Sequence, residues 1–179
     1  TGKIAVFLIE FPDYKNENPV ATADYYDRLY FNGGVNTNWG EMSVADFYET
    51  QSYGKLKLEG TVFDWYTARH ERSYYDNKKF ELISEAADFY RAQGVDFSGF
   101  DGDGDGVMDA VVFHFAGASS SAKDDPWYGG VTSTSYAPQG YGEIDGLCVR
   151  SYVQIDESAT DGWDRSIDVI CHELMHTLG

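Results

Sequence analysis

The segment CHELMHTLG, residues 171 to 179, sets two histidines four positions apart with a glutamate directly after the first. On an α-helix four residues advance about 400°, so the imidazoles of His172 and His176 fall about 40° apart and about 6 Å along the axis. That is close enough to share one metal ion, and imidazole nitrogen is a preferred donor for Zn2+. Glu173 is turned about 100° from His172, so its carboxylate sits beside such an ion rather than on it, within reach of a proton on an attacking water. A Lewis acid next to a general base is the apparatus of metal-assisted amide hydrolysis. Ile167, Ile170, Cys171, Leu174 and Leu178 share the other face, which predicts a helix that buries an apolar stripe and aims its imidazoles into a cleft. Short motifs of this kind also arise by chance. The amphipathic phasing and the continuation HTLG, whose Gly179 permits the chain to reverse, favour the functional reading.

A second constellation is DGDGDGVMD, residues 101 to 109. Asp101, Asp103 and Asp105 occupy positions 1, 3 and 5 of a cation loop, the carbonyl of Val107 position 7 and Asp109 position 9, while Gly106 allows the sharp turn at position 6. Hard oxygen donors suit Ca2+. Position 12 is Val112, inside an apolar run, so the loop is expected to lead into a strand rather than into an EF-hand helix. The competing reading is an acidic solvated turn, disfavoured because regularly spaced carboxylates repel one another when no cation is present. The remaining histidines are expected elsewhere: His114 as a satisfied core residue, His70 in a surface loop. Cys148 and Cys171 lack CxxC spacing, and buried thiols are the expectation over a disulfide.

The elements that must position these groups alternate between strand and helix signals, which places the chain in the α/β class. KIAVFLIEF (3 to 11) is a continuous apolar run and predicts a central strand covered on both faces. ADYYDRLYF (23 to 31) predicts a short helix ended by Gly33 and Gly34, and a second helix starts at Ser43 as N-cap with Asp46 three residues on and stops by Gly54. KLKLEG (55 to 60) alternates as a half-buried strand, with Leu56 and Leu58 inward. Phe80, Ile83, Ala87 and Tyr90 recur at helical spacing within a helix over 78 to 93. Strands follow at 110 to 117 and 146 to 156. The second, with Leu147, Val149, Val153 and Ile155 on one face and Arg150, Tyr152 and Gln154 on the other, is expected at an exposed sheet edge, where a substrate would lie along residues 147 to 155. Between them runs a Gly/Ser-rich connection, 117 to 142, holding Asp124, Asp125, Trp127 and Tyr128; a connection that long points to function or disorder.

Bulk properties exclude several classes. A chain of 179 residues with 42% hydrophobic content supports one well-buried core, so residues 1–179 are expected to form a single domain. Thirteen basic against thirty acidic side chains give a net charge of −17, which repels nucleic acid and favours divalent cations. The longest apolar run, IAVFLI, is far short of a membrane span, and no signal-type segment opens the chain.

In order along the chain, KIAVFLIEFPD, SVADFYETQSYGKLKLEG, FDGDGDGVMDAVVFHFAG and CHELMHTLG resemble the first strand, the aromatic helix and following strand, the acidic loop and strand, and the zinc helix of the immune inhibitor A-type secreted metallopeptidases. The resemblance implies a zincin-like fold, namely a twisted mixed sheet with packing helices and a C-terminal HExxH helix. It implies a secreted zinc endopeptidase acting on protein or peptide substrates, with zinc on His172 and His176, Glu173 as general base, and calcium on Asp101, Asp103, Asp105, Val107 and Asp109. It further implies that residues 1–179 are the N-terminal subdomain of a catalytic domain, whose third zinc ligand, usually an aspartate, follows soon after the second histidine and past Gly179. Were a ligand to come from within the chain instead, Asp124, Asp125 and Glu157 are the first candidates. The alternative from another class is a calcium-stabilised extracellular binding module without working zinc.

Overall fold

The computed structural model describes residues 1–37, 40–118, 120, 124–128, 130–133, 139–157 and 167–178. A five-stranded sheet is built from β1 (Gly2–Glu10), β4 (Leu58–Thr67), β5 (Ala110–Phe115), β6 (Gly130–Ser133) and β9 (Ser151–Asp156), in the order β4-β1-β5-β9-β6. The first four strands in that order run parallel, and β6 pairs antiparallel with β9. The short strands β2 (Val35–Thr37) and β3 (Gly40–Met42) form one small ribbon, and β7 (Gly142–Ile144) and β8 (Leu147–Val149) another.

Strand β1 has the expected continuous apolar character because both of its faces are covered. Ala5, Phe7 and Ile9 point to one layer, Ile4, Val6 and Leu8 to the other, and all six are fully buried. Helix α3 (Lys79–Arg91) covers the first face with Leu82, Ile83, Ala86, Ala87 and Tyr90, joined by Phe97 and Phe100. Helices α1 (Ala23–Tyr30), α2 (Val44–Gln51) and α4 (Ile167–Met175) cover the second. Local chemistry starts α1 and α2 where the sequence indicates. Thr22 Oγ1 accepts from Tyr25 N, and Ser43 and Asp46 exchange a reciprocal capping box.

Two expectations need correction. The strand read at 55 to 60 begins only at Leu58 and runs on to Thr67, because a bulge shifts its register on β1 between Phe7 and Leu8. The extra residue lets Phe63 and Tyr66, three apart, both face the α3 layer, and a bulge of this kind erases the period of two that marks a strand in sequence. The strand read at 146 to 156 is two strands, β8 and β9, and β9 is interior. It lies between β5 and β6, and Tyr152 and Gln154, expected on a wet face, are buried. Gln154 Nε2 donates to the carbonyls of Pro126 and Tyr128 (3.4 and 2.6 Å), so the 124–128 turn closes over that face. Among the described residues the sheet's edge on that side is β6, and the 147 to 155 edge does not exist.

His114, on β5, is the buried core residue expected. Its Nδ1 faces the Asp156 carbonyl (3.3 Å), which can only accept, so Nδ1 carries the proton and Nε2 accepts from Tyr30 Oη (2.8 Å). Burial holds its pKa down at about 4 against an ordinary 6.5. The unfolded chain therefore takes up a proton in the window between those values that the folded chain refuses, so stability is complete above pH 6.5 and is lost as pH falls toward 4. Urea titrations in chelator across that window are expected to show the protein losing about 3 kcal/mol more than a His114→Gln variant; parallel losses in the two would contradict it.

Candidate metal centres

Helix α4 packs against α2, β9 and β6 through the predicted stripe. Ile167, Ile170, Cys171 and Leu174 are buried, and Leu178 is half-buried against the same cluster. Fully burying an aliphatic side chain contributes roughly 1.5–3 kcal/mol, so the stripe fixes which face looks outward. His172 and His176 are exposed and Glu173 is half-buried. The two imidazole centroids lie 5.2 Å apart with planes at 79°. His176 sits in the turn that follows α4, where His176 N donates to Glu173 O (3.2 Å) and Thr177 N and Leu178 N both donate to Leu174 O (3.0 and 3.1 Å). Gly179 lies outside the described residues.

From α2, the Tyr48 hydroxyl donates to the Cys171 carbonyl at 2.6 Å. Burial pushes that phenol's pKa well up, so it stays protonated. Cys171 is also buried, its thiol pushed up to about 12, and both cysteines are free rather than bridged. A thiol held that far above neutrality is a packing group and not a ligand.

The acidic loop is folded around its own carboxylates. Asp101 Oδ1 accepts from Gly104 N and Asp105 N (2.6 and 3.1 Å) and its Oδ2 from Gly106 N (2.9 Å), which holds its pKa below the usual carboxylate range. Asp109 Oδ2 accepts from Gly102 N (3.0 Å) and, across the chain, from the Lys3 backbone N (2.7 Å). Close approach explains Gly102, since a Cβ there would lie 2.1 Å from the Thr1 carbonyl oxygen. Gly106 turns at a φ of +82°. Met108 N donates to Cys148 O and Cys148 N to Gly106 O (3.0 and 2.9 Å), so β8 supplies a second wall. Oxygens of Asp101, Asp103 and Asp109 gather within 4.8 Å of one another, the single group of three or more metal donors among the described residues. Asp105 stands outside that group, its Oδ1 accepting from Val107 N (2.8 Å). The sequence spacing treats the acids as equivalent; the fold separates three that converge from one that caps the turn.

The acidic loop and the turn that follows α4 border one groove, whose lining does not include His172, Glu173 or His176. A cleft of about 380 Å3 is lined by Asp103, Asp105 and Asp109 from the loop, by Arg150 and Ser151 at the start of β9, and by Thr177 and Leu178 past α4. The structure does not bring Asp124, Asp125 or Glu157 to the histidines. Asp124 is exposed, and Asp125 Oδ1 accepts from Trp127 N (2.8 Å). Glu157 Oε1 accepts from Gly117 N (3.1 Å), and burial raises its pKa. His70 is exposed and stacks on Tyr74. Three contributors to these centres were not read from the sequence: the backbones of Lys3 and Cys148, which carry no side-chain signature, and Tyr48, whose partner is 123 residues away.

The family model for immune inhibitor A peptidase M6, catalytic domain, matches residues 1–179. No curated protein matches the chain.

Proposed function

The chain belongs to the immune inhibitor A peptidase M6 family, and from that premise we propose that it is a zinc-dependent endopeptidase with Glu173 as its general base. The family supports a hydrolase acting on protein or peptide substrates. The observation that carries the finer reading is the pair of exposed imidazoles, 5.2 Å apart, one on α4 and one in the turn that follows it, opposite the helix's buried stripe. Two imidazole nitrogen donors on one face suit zinc, and His172 and His176 would hold it. A hydrolytic zinc site takes three protein ligands and keeps one position open. We carry the third as supplied by sequence following Gly179, with residues 1–179 acting as the N-terminal subdomain of the catalytic domain.

Zinc, when bound, supplies Lewis acidity that makes water a better acid and polarises the scissile carbonyl. The chain's own residues do the rest. Glu173 lies between the histidines in sequence and is half-buried, so its carboxylate accepts a proton from the attacking water and returns it to the departing amine. The outer edge of β6, beside α4, is the place for an extended peptide to add as a further strand, since main-chain groups there have no sheet partner among the described residues. Asp101, Asp103 and Asp109, with Asp105 and the Val107 carbonyl close by, form the donor set for calcium. We also read the protein as secreted; no helix among the described residues is long and apolar enough to cross a membrane.

A second reading, a calcium-stabilised extracellular binding module, is favoured by one observation: the three-donor cluster among the described residues is made of aspartates and not of histidines. Zinc analysis and casein hydrolysis on the natural-length protein separate the two. Glu173→Gln is expected to retain zinc and lose roughly 10²–10⁴ in turnover, whereas unchanged turnover with zinc retained removes Glu173 from the mechanism. For the calcium loop, saturating calcium at a hundredfold excess over Kd is expected to add about 2.7 kcal/mol of stability. Thermal melts in chelator should fall accordingly, recover with calcium, and lose their calcium response in Asp103→Ala. A melting temperature indifferent to calcium assigns the loop as a solvated turn.

A further inference from the structure

The Tyr48 hydroxyl bonds a carbonyl that does not need it. Cys171 lies inside α4, where the carbonyl is already acceptor to the helix ladder, and the phenol takes its second lone pair at 2.6 Å. The bond lands one residue before His172. Its other end is fixed, because Tyr48 is 7% exposed, its ring packs edge-on against Phe47, and α2 is locked at its start by the Ser43–Asp46 capping box. The apolar stripe of α4 sets which face looks outward, but its contacts are non-directional and set the last roughly 10–20° of rotation and the sliding along the axis less sharply than a directional bond does. A hydrogen bond is directional. Metal ligands must be held to within about 0.5 Å and 10–20° of productive geometry, and a small rotation of α4 moves both imidazoles together.

We propose that Tyr48 is a positioning residue for the metal helix, its hydroxyl setting the rotation of α4 and thereby the aim of His172 and His176. The proposal rests on the reading that these histidines hold zinc. Tyr48→Phe keeps the ring and its packing and removes only the directional bond. Outer-shell changes at metal sites cost about 10- to 100-fold in affinity; a backbone-mediated contact belongs at the lower end, so zinc should bind about tenfold more weakly in Tyr48→Phe.

The experiment is calorimetric titration of Zn2+ into the chelator-treated natural-length protein, well below the melting temperature of each variant, together with the visible spectrum of the Co2+ form. Tyr66→Phe serves as the control for loss of a buried phenol bond, since Tyr66 Oη donates to Glu85 Oε1 (2.7 Å) on the opposite face of the sheet. Weaker zinc and altered cobalt bands in Tyr48→Phe, with Tyr66→Phe like the parent, is the expected result. Equal zinc affinity and spectra in Tyr48→Phe and the parent, while His172→Ala abolishes binding, overturns the proposal and leaves the zinc reading standing. Equal weakening in both phenylalanine variants reduces the effect to general loosening and overturns it too. If the parent binds no zinc, or His172→Ala binds it as the parent does, the zinc reading fails and takes this proposal with it.

Discussion

Burial of β1 on both faces is the constraint from which the rest of this structure follows. Six consecutive side chains without exposure, Ile4 to Ile9, require a complete layer on each side of the sheet. The α3 layer meets that need with aromatic packing, Phe7 stacking on Phe63 at 5.1 Å. The other layer is assembled from three helices distant in sequence, and α4 is the last of them. Its two histidines face solvent because Ile170, Cys171 and Leu174 are taken up in covering the sheet. The candidate ligands therefore sit on the outside of an element whose inside is structural.

The same strand also ties the two candidate metal centres together. Its start is held by the acidic loop, through Lys3 N and Asp109 Oδ2, and the Leu178 side chain beyond α4 comes down beside Gly2. Loop and helix end thus share both a groove and a neighbour. A cation drawing Asp101, Asp103 and Asp109 together would stiffen the segment against which the turn after His176 rests. The strong negative charge of the chain gives such a cation a further role, since the loop concentrates carboxylates that repel one another.

What the sequence made legible is what short-range physics decides. The capping box of α2, the stripe of α4, the apolar run of β1 and the turn chemistry of the acidic loop all depend on residues within a few positions of one another. They formed as the patterns indicate. Strand β4 is legible only at its start, because the bulge opposite Phe7 breaks the alternation that identifies a strand. Strand β9 reads as an edge because Tyr152 and Gln154 carry polar groups, yet both are buried, Gln154 beneath the 124–128 turn, a tertiary contact without local trace. The site divides the same way. His172, His176 and the aspartates are candidates on spacing alone, while the loop's anchorage on Lys3 and Cys148 uses backbone atoms, and Tyr48 meets α4 only through the fold.

The central claim is that His172 and His176 are the zinc ligands of a peptidase, and X-ray absorption at the zinc edge addresses the ligands directly. The natural-length protein loaded with one equivalent of zinc is expected to show nitrogen and oxygen scatterers at about 2.0–2.1 Å and an outer-shell pattern from two imidazoles. That pattern should vanish in a His172→Ala, His176→Ala double variant. An imidazole pattern unchanged in the double variant, or a first shell of sulfur at about 2.3 Å, would contradict the account.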